Sequence, residues 1–227
     1  MSAASFIPKG PFSLASSIRF LEGFTPASYD HATDGVLRVA FPADDGRSVI
    51  GCMVSRKEAA DTPPATVSAE FTVHRDGKAV PTTAGTPTHK ATRAQIARIL
   101  SLDVEGTGFP ALADADPVVA GLQADYPDLR PVGFYSPYEA AAWTVIGNRV
   151  RMTRAAAIKA RLARDHGQAI DVAGQQLHAF PTPEALCGID HIDGRLHAVA
   201  GRVADIKRQV QVTPGPRCSS SEGWADM

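Results

Sequence analysis

Cysteine is scarce, and where the few stand excludes more than their number does. Cys52, Cys187 and Cys218 are far apart, odd in count and free of any C-x-x-C spacing. Neither a thiol-ligated metal centre nor a disulfide framework is indicated. Cys52 lies inside an apolar run and reads as core. Long hydrophobic runs are missing too: none approaches the ~20 residues of a membrane helix, so no membrane association is expected. The N-terminus, MSAASFIPKGPFS, lacks a cationic stretch leading into an apolar core. No signal peptide and a cytoplasmic protein are therefore expected. The histidines show no metal-ligand spacing, and the Asp190-His191 and Asp193 cluster reads as a solvated loop. The segment EGTGF lacks the lysine and the strand-to-helix setting of a phosphate-binding loop. Neither a metal nor a cofactor is expected.

A large basic excess is also missing, since the formal net charge is −1. The charge is unevenly spread, however. Residues 101–128 hold Asp103, Glu105, Asp114, Asp116, Asp125 and Asp128 with no Lys or Arg. Residues 143–165 hold Arg149, Arg151, Arg154, Lys159, Arg161 and Arg164 against the single Asp165. A local patch of this kind can bind an anion when the net charge cannot, and it can equally be a solvated helix face.

With 227 residues, 44% hydrophobic and 21% charged, the chain can form one large globular domain or two small ones. The first ninety residues alternate in the period of strands. Leu37, Val39 and Phe41 alternate with Arg38 and Ala40, and Val67, Ala69, Phe71 and Val73 with Ser68, Glu70, Thr72 and His74. SVIGCMVS is an almost continuous apolar run, Ser13 opens a short helix, and Asp76-Gly77 marks a turn. His74 is expected on the outer face. Residues 79–91, rich in Pro, Thr and Gly, read as a loop or linker. Beyond them the pattern is helical: Ile96, Ile99 and Leu100 share a stripe. Asp116-Pro117, Ser136-Pro137-Tyr138-Glu139, Thr153 and Thr182-Pro183 are start signals, and Gly167 is a stop. The RLHAVAGRVADIKR segment is a last helix, and the residues from Gln211 onward read as disordered. The expectation is an α+β protein with a small N-terminal antiparallel sheet and helices over 10–90. An incomplete all-α helical domain follows over 91–207, then a disordered tail over 208–227.

The most informative stretch is SPYEAAAWTVIGNRVRMTRAAAIKARLARDHG, residues 136–167. An apolar helix runs into Gly147, Asn148 and Arg149, and a cationic helix follows. On the second helix Ala155, Ile158 and Leu162 share one face, while Arg154, Arg161 and Arg164 cluster on another. This is a surface helix or a phosphate contact. The break itself is either an ordinary helix–turn–helix connection or a set of side chains able to enter a duplex and fill the gap left by an extruded base.

The same stretch resembles the first helical pair of the bacterial 3-methyladenine DNA glycosylase II family, among the helix-hairpin-helix DNA glycosylases. ARILSLDVEGTGFPALADADPVVAGL resembles the segment before the pair, LRPVGFYSPYEAAAW its entry and HAFPTPEAL the block after it. The blocks run in consistent order over roughly residues 10–200. The resemblance implies a protein that extracts a damaged base from double-stranded DNA, as a monomer, and hydrolyses its N-glycosidic bond. It assigns Gly147, Asn148 and Arg149 to the intercalating turn, with Arg149 as wedge and Asn148 in place of the family's usual glutamine. It makes Arg151, Arg154 and Arg161 phosphate contacts. It places Tyr138 and Trp143 near the base pocket, where an electron-rich ring suits a cationic alkylated purine, although both are equally explicable as core. The family's Leu-Pro-Gly-[Ile/Val]-Gly hairpin and catalytic aspartate are not found after RLHAVAG. TPGPR is only a superficial echo, and Asp205, Glu222 and Asp226 lie in no matching context. No catalytic residue is assigned. The sequence therefore suggests a chain truncated before its catalytic part, with an uncovered apolar helical face. The competing readings are a base-excision glycosylase, a non-catalytic DNA-binding relic of one, and an interaction module with no role on DNA.

Overall fold

The computed structural model describes residues 1–24, 34–57, 66–189 and 201. The expected last helix and the 208–227 tail lie outside the described residues, apart from Gly201, as do Asp205, Glu222 and Asp226. The alternating segments form strands. β1 (Ser2–Phe6), β2 (Leu37–Pro42), β3 (Ser48–Lys57), β4 (Thr66–Arg75) and β5 (Lys78–Val80) make one antiparallel sheet in the order β1-β4-β3-β2, with β5 beside the end of β4. Asp76 and Gly77 both have positive φ (51° and 74°), the geometry a two-residue hairpin needs. His74 is half-buried beside the Thr72 hydroxyl, 3.1 Å away, and partial burial lowers its pKa.

One face of the sheet packs against helices. Leu37, Val39, Phe41, Ile50, Cys52, Val54, Val67, Ala69, Phe71 and Val73 meet α1 (Leu14–Gly23) and α2 (Pro87–Ile99) in a single cluster that also takes in Val132 and Tyr135. Burial pushes the Cys52 thiol up to about 12, in keeping with a core residue. Helix α2 begins earlier than its apolar stripe suggests. Thr86 accepts from the His89 amide and Pro87 takes the first turn, so the expected 79–91 loop shrinks to residues 81–86, between β5 and the helix. The Pro/Thr composition concealed a cap.

The second part of the chain is not all-α, which corrects the expectation. A 3-10 turn (Pro110–Asp114), α3 (Pro117–Asp125), α4 (Pro137–Ile146), α5 (Met152–His166) and α6 (Pro183–Cys187) are accompanied by a hairpin of β6 (Ala169–Val172) and β7 (Gln175–His178). Ala173 and Gly174 turn it with φ of 52° and 82°, and Asp171 accepts from the Gly174 amide at 3.1 Å. Ile170, Val172 and Ala179 cover Val49 on the other side of the sheet. The hairpin thus joins the sheet to the helices. Arg130, buried, ties the loops on the opposite side by donating to the carbonyls of Lys9, Pro11, Ser101 and Val104. Helix α3 buries no residue, and Phe109, Leu112, Val118, Leu122 and Tyr126 are 49% to 69% exposed.

Candidate nucleic-acid interface

Helix α4 starts where its sequence dictates. The Ser136 hydroxyl accepts from the Glu139 amide at 3.1 Å, with Pro137 in the first turn. Glu139 does not reach back to the Ser136 amide to complete a capping box. Glu139 turns inward instead and pairs with Lys159 of α5 at 2.6 Å, both residues being buried. Helix α5 starts at Met152 with Arg151 in the cap position and no side-chain cap, so Thr153 lies inside its first turn and is not the cap. Its leading amides are left to water or to an anion.

The connection between these helices is a tight turn. Gly147 closes α4 in an ordinary right-handed conformation, φ −78° and ψ −7°, its amide bonded to the Trp143 carbonyl at 2.8 Å. A methyl group there would lie 3.2 Å from that carbonyl oxygen. The Asn148 amide bonds to Val145 O at 3.2 Å, and the Val150 amide to Gly147 O at 3.3 Å. The left-handed residue is Arg149, φ +59°, and not the glycine. That conformation costs an L-residue about 1–2 kcal/mol. Asn148 and Arg149 are both exposed. A long guanidinium therefore stands at the apex on a backbone held against its preference, as is common at functional sites.

The cationic residues follow on one side. Arg151, Arg154, Arg161 and Arg164 are exposed. Among the described residues Arg149, Arg151, Arg154 and Arg161 form no ion pair, while Arg164 stands 3.6 Å from Asp165. The opposite face of α5 is core: Ala155 is fully buried, and Ile158 and Leu162 pack with Tyr138, Ala142, Ile146, Phe180 and Leu186. The structure thus brings Gly147, Asn148, Arg149, Arg151, Arg154 and Arg161 to one end and one flank of the helical pair.

The two aromatic candidates sit differently. Tyr138 is 7% exposed and packs on Phe180 with ring centroids 5.9 Å apart. Its hydroxyl has no hydrogen-bond partner. Burial, with Cys187 and Glu139 nearby, pushes its pKa far up, so it remains a neutral donor. Trp143 is half-buried against the same cluster. Among the described residues no group of His, Cys, Asp and Glu could hold a metal ion, and no helix is long and apolar enough to cross a membrane.

No protein-family model matches the chain. Over 110 residues it is 27% identical to the DNA-3-methyladenine glycosylase of Bacillus subtilis (strain 168), which covers 48% of this chain and 33% of that protein. The fold is similar to that of the 3-methyladenine DNA-glycosylase from Archaeoglobus fulgidus, with a TM-score of 0.60 at 19% identity, over 90% of this chain and 66% of that one. The chain thus spans about a third of the length of the curated relative and about two thirds of the solved structure. The sequence match and the match in α+β fold are both to 3-methyladenine DNA glycosylases.

Proposed function

We propose that this chain is a base-excision repair protein of the DNA glycosylase kind, which engages double-stranded DNA through the α4–α5 turn. Arg149 enters the duplex as a wedge, Gly147 and Asn148 shape the turn, and Arg151, Arg154 and Arg161 contact phosphates with the uncapped start of α5. Tyr138, with its unpaired hydroxyl, and Trp143 lie on the helix leading to the wedge and would flank an extruded alkylated base. The protein acts as a monomer in the cytoplasm. The observation that carries the reading is the exposed, left-handed Arg149 at the head of Arg151, Arg154 and Arg161, which form no ion pair among the described residues. Removal of the base is hydrolysis of an N-glycosidic bond, for which a carboxylate stabilises the oxocarbenium-like sugar.

A second reading, DNA recognition without hydrolysis, is favoured by one observation. No Leu-Pro-Gly-x-Gly segment occurs anywhere in the sequence, so the backbone-amide hairpin and the aspartate that would follow it are not identified. A single-turnover base-release assay on DNA carrying 3-methyladenine or 7-methylguanine, with binding followed across a salt series, separates the two. Release supports hydrolysis. Binding that falls steeply with salt but releases no base supports recognition alone. A chain that neither binds nor releases sinks both.

A further inference from the structure

We infer that the buried Glu139–Lys159 ion pair is a cross-brace that positions the Arg149 turn, making both residues positioning residues for base opening; this rests on the turn being the element that enters DNA. Glu139 stands eight residues before Gly147, and Lys159 eight residues after Arg151. At about 1.5 Å per residue, each is ~12 Å up its own helix from the turn. The pair therefore ties the two arms of an antiparallel hairpin at equal height above the tip.

The rest of that contact is apolar. Tyr138, Ala142 and Ile146 of α4 and Ala155, Ile158 and Leu162 of α5 belong to one cluster. Apolar packing is non-directional. The ion pair adds a directional contact between the two arms. Its Nζ–Oε1 distance is 2.6 Å, Glu139 is 2% exposed and Lys159 7%. The ammonium also lies 5.9 Å from the Phe180 ring centroid. The pair is one-sided, since Glu139 Oε2 has no hydrogen-bond partner. A one-sided buried pair is a poor source of net stability, because desolvation offsets its attraction. The best-attested use of such groups is to hold register. Here the register in question sets where a strained arginine points.

The test uses the full chain and a duplex with 2-aminopurine, which brightens when unstacked. The double variant Glu139→Leu/Lys159→Met replaces the pair by apolar groups of similar volume. The expected result is a melt and a DNA affinity close to wild type, with base opening reduced on the order of tenfold to a hundredfold, the size of loss a displaced constellation produces. A merely structural pair would not move opening apart from affinity. Unchanged opening in a folded double variant overturns the brace alone. Wild-type chain that neither binds nor opens the duplex overturns the brace together with the reading of the turn. If the double variant does not fold, Glu139→Gln decides, since it keeps the shape and loses the charge: opening reduced at wild-type affinity supports the brace, and unchanged opening overturns it.

Discussion

Gly51 of β3 lies directly beneath Ile170 of β6: a methyl group at Gly51 would meet Ile170 Cγ2 at 2.7 Å and Val172 Cγ2 at 3.0 Å. Both atoms belong to β-branched side chains, which have little rotamer freedom with which to yield. The glycine is what lets the hairpin close on the sheet. Gly51→Ala is expected to destabilise the protein by about 1–3 kcal/mol through overpacking. Urea unfolding measures it, and a midpoint equal to wild type would mean that the hairpin is not seated there.

Arg149 gives a prediction in which stability and function move differently. Arg149→Gly relieves the left-handed strain but removes the guanidinium. It should be more stable than Arg149→Ala by about 1 kcal/mol, while both lose base opening to the same extent. Thermal melts beside 2-aminopurine fluorescence read the two quantities. Equal melts for the two variants would show that the residue is not held at positive φ.

Arg154 and Arg161 are expected to carry part of the salt dependence of DNA binding. If each contacts a phosphate, Arg154→Ala and Arg161→Ala should each weaken binding on all sequences alike. Each should also lower the slope of log affinity against log salt by about 1. Titrations at several salt concentrations give the slope, and an unchanged slope removes that arginine from the interface.

Asp45, in the turn between β2 and β3, makes stability depend on acid. Its carboxylate accepts from the Arg47 amide at 2.9 Å and from the Ser48 amide and hydroxyl, both at 2.7 Å. Burial pulls its pKa up, but these bonds, with Arg75 nearby, outweigh that, and the net value lies below 3.8. A carboxyl with a lowered folded pKa stabilises the fold above its unfolded value, and that contribution disappears as pH falls through the folded value. The carboxylate is 34% exposed, which keeps the effect modest. Asp45→Asn should therefore cost about 1 kcal/mol at pH 7. The gap to wild type should shrink once the pH drops below 3.8. A gap that is equal at both ends of the pH range would mean that the carboxylate's charge contributes nothing.

Much of the local structure was legible. Strands β2 and β4 show themselves by two-residue alternation, and β3 by its apolar run. Ser13, Asp116, Ser136 and Thr182 each bond a helix-opening amide as their position suggests. Thr86-Pro87 is the same signal in a Pro/Thr/Gly-rich setting, and composition hid it. The β6–β7 hairpin was missed because its strands are four residues each and Ala173-Gly174 is not a turn pair that announces positive φ at both positions. The arginine flank was visible as spacing. That Tyr138 packs on Phe180 was not, because an aromatic near a helix start is equally suited to a core and to a pocket.

Residue order alone determined strands β2, β3 and β4, the caps at Ser13, Asp116, Ser136 and Thr182, and the two faces of α5, since each depends on neighbours within a few positions. Tertiary structure decided the rest. Glu139 turns away from the start of its own helix to Lys159, because a buried ammonium needs a counter-ion. Arg149, and not Gly147, takes the left-handed conformation, because the turn must join two helices whose relative placement is set by the packing of their apolar faces. Contacts between residues twenty positions apart have no period to read, and only the folded chain brings them together.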